Sequence, residues 1–294
     1  MTGIALVSGA ASIGGFTVVF TRFVIPETDA FTLAHIRYGL AALCLISLSL
    51  WQGRKFRVDR RDAPALLLLA ICFYGAFPYC FARALADTTA ARGALVYATM
   101  PLVTMVLGAV FRVEKVTGFK VMAVIFAVSG VWIAVGVDNP ASAPNALRGD
   151  IIMFIATSIS AGYLVFVPRY VAKYDGLAMT GWSMLVGALA LAPVAMMFGD
   201  PFGGSLDISP MGWLVIFGLA LPGGALMLLM FIRGIAYATP IQASVAVGFN
   251  PMVAILLGAA VLGESLTWRN LAGFALIVLA ILCTNLRTNL RKSD

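Results

Sequence analysis

The sequence is poor in charged residues: Asp, Glu, Lys and Arg make up only 11% of its 294 positions, whereas soluble domains carry about 25%. Hydrophobic residues account for 61%, and the mean hydropathy is +0.98. Too few polar groups remain to cover a water-soluble core. The composition therefore excludes a soluble globular protein and predicts an all-α polytopic membrane protein, with lipid as the solvent for most of its surface.

Histidine is almost absent, since His35 is the single one. One histidine cannot build a Ser-His-Asp triad or a multi-histidine metal site, and no Walker motif is present. We therefore expect no catalytic residues, no metal and no cofactor. A membrane-embedded enzyme would need His, Asp or Glu clustered at one membrane face, and the sequence lacks such a cluster.

Cysteine is scarce as well. The four cysteines all lie inside apolar runs and form no CxxC pair: Cys44, Cys72, Cys80 and Cys283. We expect all four to be small buried hydrophobic residues rather than disulfide partners.

What the sequence does contain is long apolar runs. A bilayer core is spanned by about 20 apolar residues in a helix. Ten stretches of this kind follow one another with short connections. They are Gly3–Val24, Phe31–Trp51, Ala63–Ala82, Ala90–Val110, Phe119–Val137, Ile151–Tyr170, Leu177–Phe198, Met211–Ile232, Pro240–Leu262 and Leu271–Leu286.

The basic residues indicate how these stretches are oriented. Of the 20 Lys and Arg, 14 lie at one set of alternate connections and 5 at the other, with Arg37 inside the second stretch. Cytoplasmic loops carry such an excess. We therefore expect an inner-membrane protein with both termini in the cytoplasm. Because the excess is spread over short loops, the net charge of +7 does not indicate a nucleic-acid partner.

An internal repeat divides the chain. At an offset of 150 residues, the stretch from Arg83 matches the stretch from Arg233 at ten identical positions, including a paired arginine, proline and glutamate: Arg83/Arg233, Pro101/Pro251 and Glu114/Glu264. At an offset of 147, Gly15 matches Gly162 and Arg22 matches Arg169. The halves are residues 1–146 and 147–294, with five stretches each. Because five is odd, the second half is predicted to enter the membrane inverted, as in many secondary transporters, with the substrate site near the midplane.

Three motifs carry a resemblance to a known family: Gly14-Gly15 to Arg22, Ala34-x-x-Arg37, and a mid-helix proline followed by Glu in each half, Pro101 to Glu114 and Pro251 to Glu264. The second copy ends in Leu262-Gly263-Glu264, whereas the first has Arg112-Val113-Glu114. With these motifs nearly the whole chain resembles the drug/metabolite transporter superfamily, specifically its EamA-type ten-helix exporters. Its length and aromatic content are most similar to the YddG-type amino-acid exporters. The resemblance implies the fold and transport, and it says little about the substrate.

Carboxylates are missing where ion-coupled carriers commonly place one. None of the 13 Asp and Glu lies in the middle third of a predicted helix, and an intramembrane charge is kept only for function. Glu114 and Glu264 lie at helix junctions, where capping or pairing with loop groups is favoured over ion coupling. We therefore expect transport without strong carboxylate-based coupling.

Candidate substrate-binding residues follow from depth in the membrane and from side-chain chemistry. Counting about 1.5 Å per residue places three of them near the bilayer centre, and four more add polar or aromatic lining. They are Tyr97, Tyr163 and Asn250, followed by Ser244, Tyr79, Trp182 and His35. Each tyrosine or tryptophan has ordinary packing or an interfacial belt as its alternative, and His35 has a neutral hydrogen-bonding role.

Candidate hinges are the prolines and glycines within the stretches. Proline removes a helix hydrogen bond, and glycine allows close helix approach or bending. The candidates are Gly14, Gly15, Pro101, Pro222, Gly223, Gly224 and Pro251, and small-residue packing is the alternative. For Arg37, a structural role, in which it either snorkels to the interface or bonds to carbonyl groups of a neighbouring helix, is favoured over a substrate-attracting role at the outer mouth.

These observations together predict a secondary transporter that exports small metabolites, amino acids including aromatic ones, by alternating access. Its partners would be a small-molecule substrate and membrane lipid, with no nucleic acid, and we expect a monomer. A broad drug-efflux carrier is the alternative, although such carriers usually expose an acidic residue to their cationic cargo. A passive channel would need a continuous polar stripe, and the polar residues here are isolated.

Overall fold

The computed structural model describes residues 2–24, 27–54, 57–87, 96–97, 99–135, 146–198, 206–262 and 268–290, and all regular secondary structure in these ranges is helical. The first half contains α1 (Thr2–Val24), α2 (Ala30–Trp51), α3 (Ala63–Ala70, Ile71–Ala76 and Phe77–Asp87), α4 (Met100–Val110) and α5 (Gly118–Val135). The second half contains α6 (Ala146–Phe166, then Pro168–Val171), α7 (Gly176–Phe198), α8 (Pro210–Ala220, Leu221–Leu226 and Met227–Ile235), α9 (Pro240–Val247, then Phe249–Leu262) and α10 (Trp268–Leu290). The all-α prediction is confirmed for these residues.

Five helices of the described chain are long and apolar enough to cross a membrane: Phe31–Trp51, Ala63–Phe81, Leu147–Val171, Gly176–Val194 and Pro210–Ile235. Shorter apolar helices cover Thr2–Thr17, Met100–Val110, Gly118–Ile133 and Leu271–Cys283. Wherever they are described, the ten predicted stretches lie on helices, apart from single turn residues at Thr99, Val167 and Gly248. Ten membrane spans remain a prediction, and part of the fourth stretch lies outside the described residues.

One predicted helix end is wrong for a clear reason. The third stretch was expected to end at Ala82, but α3 continues to Asp87. Arg83 and Asp87 lie one turn apart and pair at 3.5 Å, which supports the last turn of the helix with an i,i+4 ion pair. The charged end of the helix was thus misread as a loop.

Several helix starts follow from capping residues in the sequence. The Asp29 carboxylate accepts hydrogen bonds from the amides of Phe31 and Thr32, both at 2.9 Å, at the start of α2. At the start of α9, Thr239 and Gln242 form a reciprocal capping box around Pro240. Such residues satisfy amide groups that the first turn leaves without partners.

Helix packing follows a pattern that respects the repeat. α2 packs along α7, and α5 packs along α10. α1 packs on α9 and on the last segment of α8, while α6 packs on α4 and on the last segment of α3. Exchanging each helix with its counterpart in the other half leaves this list of contacts unchanged. The packing therefore approximates a two-fold relation between the halves.

The pair α2 and α7 runs antiparallel. Glu27, just before α2, contacts Ser209, which follows α7, and Arg54, just after α2, contacts Asp175, which precedes α7. A Cβ added at Gly181 of α7 would lie 3.1 Å from atoms of Ile46, so the two helices approach closely. This close pair joins the two halves.

The prediction for the cysteines is wrong for Cys44. All four cysteines are free, but the Cys44 side chain is exposed on α2 and the other three are partly buried. On a helix that faces lipid, exposure does not bring a thiol into water, so a small apolar side chain is tolerated there.

Candidate substrate site

An aromatic cluster lies where the two halves meet. Phe73 and Tyr74 of α3 face Tyr163 of α6: the Phe73 and Tyr163 rings stack with centroids 3.9 Å apart, and the Tyr74 and Tyr163 hydroxyls share a hydrogen bond of 3.0 Å. Phe231 of α8 lies parallel to Phe73 at 6.4 Å. Tyr38 of α2 meets the Tyr74 ring edge-on at 6.3 Å. Four helices thus contribute rings to one cluster.

Tyr97 extends this cluster along α3. Its ring lies 6.1 Å from Phe77 and 5.6 Å from Phe81, the second contact being T-shaped. The Tyr97 hydroxyl is hydrogen-bonded to the Ser160 side chain of α6. The structure thus brings together Tyr97 and Tyr163, two of the three predicted midplane residues, with α6 supplying a polar partner for the first.

Asn250, the third residue predicted near the midplane, lies against α1. A Cβ added at Gly14 would lie 2.5 Å from Asn250 Nδ2 and 3.6 Å from the Met227 sulfur. Glycine at position 14 therefore leaves the space that the carboxamide occupies. Met227 also approaches Gly14, and it precedes Phe231 of the cluster by one turn of α8.

The Asn250 carboxamide differs from the tyrosine hydroxyls in one respect. It is partly exposed and makes no hydrogen bond to any residue in the described ranges. A polar group that lacks a protein partner at this depth is costly unless water or a ligand satisfies it. Asn250 is thus an available donor and acceptor.

Two other predicted polar residues have backbone partners. Ser244 is buried and donates to the Ile241 carbonyl at 2.9 Å. His35 Nδ1 lies 3.0 Å from the Ala188 carbonyl of α7 and donates to it. A hydrogen-bonding role was the alternative to substrate binding for His35, and whether His35 binds substrate stays a prediction.

The two remaining aromatic candidates lie apart from the described cluster. Tyr79 stacks on Phe31 with centroids 4.9 Å apart, near the start of α2. The Trp182 side chain on α7 is 40% exposed. Neither makes a ring contact with the cluster in the described part of the chain, and their role in binding stays a prediction.

The candidate hinges fall into three structural settings. Pro222, Gly223 and Gly224 lie in a π-helical segment, Leu221–Leu226, within α8. Pro101 lies in the first turn of α4, and Pro251 follows the start of the second segment of α9, just after Gly248. Gly14 and Gly15 belong to a continuous α1.

Arg37 bonds to α8, as its structural interpretation predicts. Its Nε donates to the Leu219 carbonyl at 3.1 Å, and one Nη donates to the Gly223 carbonyl at 2.8 Å. The guanidinium also lies 5.7 Å from the ring of the neighbouring Tyr38. No carboxylate among the described residues pairs with Arg37, so backbone carbonyls take up its hydrogen-bonding capacity.

Glu114 has the capping and pairing role that its position predicts. Its Oε1 lies 2.6 Å from Lys120 Nζ, and its Oε2 accepts from the Ile241 amide at 3.1 Å. It therefore ties the connection after α4 to the start of α9. Its repeat counterpart, Glu264, lies outside the described residues.

Polar contacts connect the halves at both ends of the α2–α7 pair. At one end, the Ser209 hydroxyl contacts Glu27 Oε1 at 3.1 Å. At the other, the Tyr174 hydroxyl donates to Asp62 at 2.6 Å. Glu27 and Tyr174 are 147 residues apart, and so are Asp62 and Ser209. The two contacts are therefore equivalent under the offset that relates α1 to α6.

The Asp62 end carries more charge. Lys173 pairs with Asp59 and, at 2.8 Å, with Asp62, and Arg54 pairs with Asp175 at 2.5 Å. Hydrogen bonds from Lys173 and Tyr174 lower the pKa of the Asp62 carboxyl, and the bonds to Asp59 and Asp62 raise the pKa of Lys173. This end is held by ionic bonds, whereas the Glu27 end relies on a carboxylate and a neutral serine.

Sequence reasoning missed Phe73, Tyr74, Phe231 and Tyr38. A signal for two of them was present, because Pro222-Gly223-Gly224 aligns with Cys72-Phe73-Tyr74 at the 150-residue offset. Transferring the hinge candidates through the repeat would have pointed to the centre of the cluster. Phe231 and Tyr38 carry no such signal, since apolar and aromatic residues are common throughout these helices.

Comparisons with known proteins bear on the whole chain. The EamA-like transporter family matches this chain twice, once over residues 1–136 and once over residues 147–286. The two matches confirm that the chain contains a two-copy repeat. The uncharacterized transporter YyaM of Bacillus subtilis is 27% identical over 91% of this chain and 88% of its own length. The uncharacterized inner membrane transporter YicL of Salmonella typhimurium is 24% identical over 96% of this chain and 94% of its own length.

Other similarities extend this comparison. Protein PecM of Dickeya dadantii is 28% identical over 64% of this chain and 62% of its own length. A solved crystal structure of a protein has the same fold, with a TM-score of 0.83, 16% identity, and coverage of 97% of this chain and 99% of that one. At that identity the likeness concerns the fold alone.

Proposed function

Because this chain belongs to the EamA-like transporter family and is a multi-pass membrane transporter, we propose that it exports small amphipathic metabolites, amino acids including aromatic ones, by alternating access. The substrate would bind between the two halves, against the aromatic cluster and Asn250. No described residue offers a fixed charge at that place other than Arg37, which is bonded to carbonyls.

The Asn250 carboxamide carries this proposal. It lies against Gly14 of α1, which Met227 of α8 also approaches, it is partly exposed, and it lacks a partner among the described residues. An amide both donates and accepts, so it can bind the ammonium or the carboxylate of an amino acid. Aromatic faces bind a planar side chain and attract an ammonium.

An inverted arrangement of the halves is supported by their packing. The helix contacts between the halves described above each have a matching contact between the repeat counterparts of the two helices, as a two-fold axis requires. α7 also runs antiparallel to its counterpart α2. An axis in the membrane plane gives this relation, and alternating access then consists of exchanging the conformations of the two halves. The excess of Lys and Arg at one set of loops places both termini in the cytoplasm.

Weak ion coupling is supported by the carboxylates that the structure describes. Those with polar contacts lie at helix ends or in connections, and Glu114 bonds to Lys120 and to the α9 amide. A carrier of cationic drugs would instead be expected to expose a carboxylate to its cargo. We therefore favour downhill export of zwitterions over broad drug efflux.

The test is flux in proteoliposomes. Purified protein is reconstituted, loaded with a panel of labelled amino acids, and compared with empty liposomes and with a quaternary ammonium dye as cargo. Aromatic amino acids should leave faster than from empty liposomes. Movement of the dye without movement of any amino acid would refute the proposal in favour of drug efflux.

A matched pair of variants ties the flux to the site. Asn250→Ala should lower amino-acid flux, whereas Gln52→Ala removes a carboxamide that is exposed after the end of α2 and should leave flux unchanged. Rates are normalised to folded protein by size-exclusion chromatography. Equal flux in the two variants would show that Asn250 does not bind the substrate.

A further inference from the structure

Two π-helical segments occupy equivalent places in the two halves. Ile71–Ala76 lies in α3 and Leu221–Leu226 lies in α8, each six residues long and 150 residues apart. In each, an amide bonds to the carbonyl five residues earlier: Phe77 to Cys72, and Met227 to Pro222. Such segments are rare and occur frequently at functional sites.

Each segment has a proline close to it, at a different repeat position. Pro222 lies within Leu221–Leu226, lacks an amide hydrogen and loosens α8. Pro78 lies two residues after Ile71–Ala76, so its missing amide leaves the Tyr74 carbonyl of that segment without its α-helical partner. The same irregularity therefore forms at one repeat position on two different sequences, which points to a role in the working of both halves.

The two segments are held by different chemistry. Arg37 donates to two carbonyls of α8: that of Leu219, which lies just before the segment, and that of Gly223, which lies within it. α7, the counterpart of α2, contacts the α3 segment at a glycine, Gly187. A Cβ there would lie 2.7 Å from the carbonyl carbon of Tyr74. α3 is thus held by direct backbone packing, and α8 by hydrogen bonds from a long side chain.

Each segment lies directly before residues of the candidate site. Phe77 and Phe81 follow in α3, and Met227 and Phe231 follow in α8. Converting a π-helical turn into an α-helical turn changes the register by one residue, which rotates the following helix by about 100° relative to the preceding one. A change in either segment would therefore reorient one wall of the site.

We propose that the two π-helical segments are the bending points of α3 and α8 in the transport cycle, and that Arg37 is the positioning residue that holds the second one. The proposal rests on the alternating-access function proposed above. Bonds from Arg37 fix the α8 segment in this conformation, and their release lets the last segment of α8 turn against α1. In α3 the Gly187 contact permits sliding without bond exchange.

The first experiment measures amide hydrogen exchange by mass spectrometry on the purified full chain. Arg37→Gln should raise exchange in Leu221–Leu226 at least tenfold, while Ile71–Ala76 serves as the internal control and stays unchanged. Arg37→Lys should give an intermediate value, because an ammonium cannot span two carbonyls as a guanidinium does. Unchanged exchange, or an equal rise in both segments, would overturn the role of Arg37.

The second experiment removes the bending point and does not depend on Arg37 variants folding. Deleting Pro222 takes out one residue of the segment and should leave a continuous helix. Spin labels at Leu214 in α8 and at Tyr237, two residues after its end, are exposed on either side of the segment and are separated by about 35 Å at the rise of an α-helix. The protein with Pro222 should give a broader or double distance distribution, and the deletion a single narrow one. Identical distributions would overturn the proposal.

Neither readout requires a substrate, so both separate this inference from the proposed function. If no amino acid moves in proteoliposomes, the proposed export function fails, while exchange and distances still decide the role of the segments. If amino acids move and the Pro222 deletion transports at the full rate, the bending points are refuted and the export function stands.

Discussion

Substitution of Glu114 separates a structural carboxylate from a coupling one. The Glu114 side chain is 5% exposed and joins Lys120 at 2.6 Å to the Ile241 amide at 3.1 Å. Glu114→Ala removes both contacts and leaves the first turn of α9 without this partner. Glu114→Gln keeps an oxygen that can accept from the Ile241 amide and removes only the charge.

The size of the effect follows from these contacts. A hydrogen bond to a charged group contributes about 1.5–3 kcal/mol, and a charge at a helix N-terminus adds about 0.3–1 kcal/mol. Lys120 is 20% exposed and also bonds to the Lys115 carbonyl at 2.9 Å, so it can reach water when its partner is lost. We therefore expect a loss of about 3 kcal/mol for Glu114→Ala and about 1–2 kcal/mol for Glu114→Gln.

The assay combines unfolding and flux. Free energies of unfolding are measured in mixed micelles for both variants and for Asp207→Ala, which removes an exposed carboxylate and should have no effect. Flux per folded protein should stay at the level of the unsubstituted chain in Glu114→Gln, with or without a pH gradient. A Glu114→Gln protein that keeps its full stability but loses proton-driven accumulation would refute the structural role.

The remaining predictions concern the site, energetics, topology and the loops. Asn250→Ala and Tyr97→Ala should each lower flux while folding and insertion stay intact, because each loses a hydrogen bond worth about 0.5–1.5 kcal/mol. Unchanged flux in both variants would show that the substrate binds elsewhere. A pH step alone should drive no net accumulation in proteoliposomes. A reporter fused after Asp294 should be active in the cytoplasm, and one placed between residues 200 and 207 should be active outside. Because Lys173 and Tyr174 lower the pKa of Asp62, that carboxylate's stabilising effect is present above its unfolded value of about 3.9 and is lost as pH falls through its lower folded value. Protection factors of the amides in that loop, which are exchange rates corrected for the intrinsic pH dependence of exchange, should thus be constant near neutral pH and should fall in acid or at high salt.

Much of the fold could be predicted because the bilayer imposes simple rules. Apolar length marks the helices, and paired residues such as Pro101/Pro251 reveal the repeat. The structural roles of Arg37 and Glu114 could be predicted because a charged group near or within the membrane is costly unless it has hydrogen-bonding partners. Backbone groups at helix irregularities and helix ends provide such partners.

The rest depended on contacts that spacing does not encode. The fit of Asn250 against Gly14 and of Tyr74 against Gly187 arises from distances between helices far apart in sequence. Ser244 was predicted from its depth alone, but its hydroxyl bonds to the preceding turn. Pro78 lies two residues after the π-helical segment of α3, but a proline alone indicates a kink and does not specify this register.

The most direct test of the account is counterflow. Proteoliposomes are preloaded with unlabelled phenylalanine and diluted into a trace of labelled phenylalanine, with no ion gradient. A carrier whose site is exposed to one side at a time should accumulate the label transiently above equilibrium, and Asn250→Ala should reduce that peak while Gln52→Ala retains it. Simple equilibration without a peak, for every amino acid of the panel, would contradict alternating access at a site between the two halves.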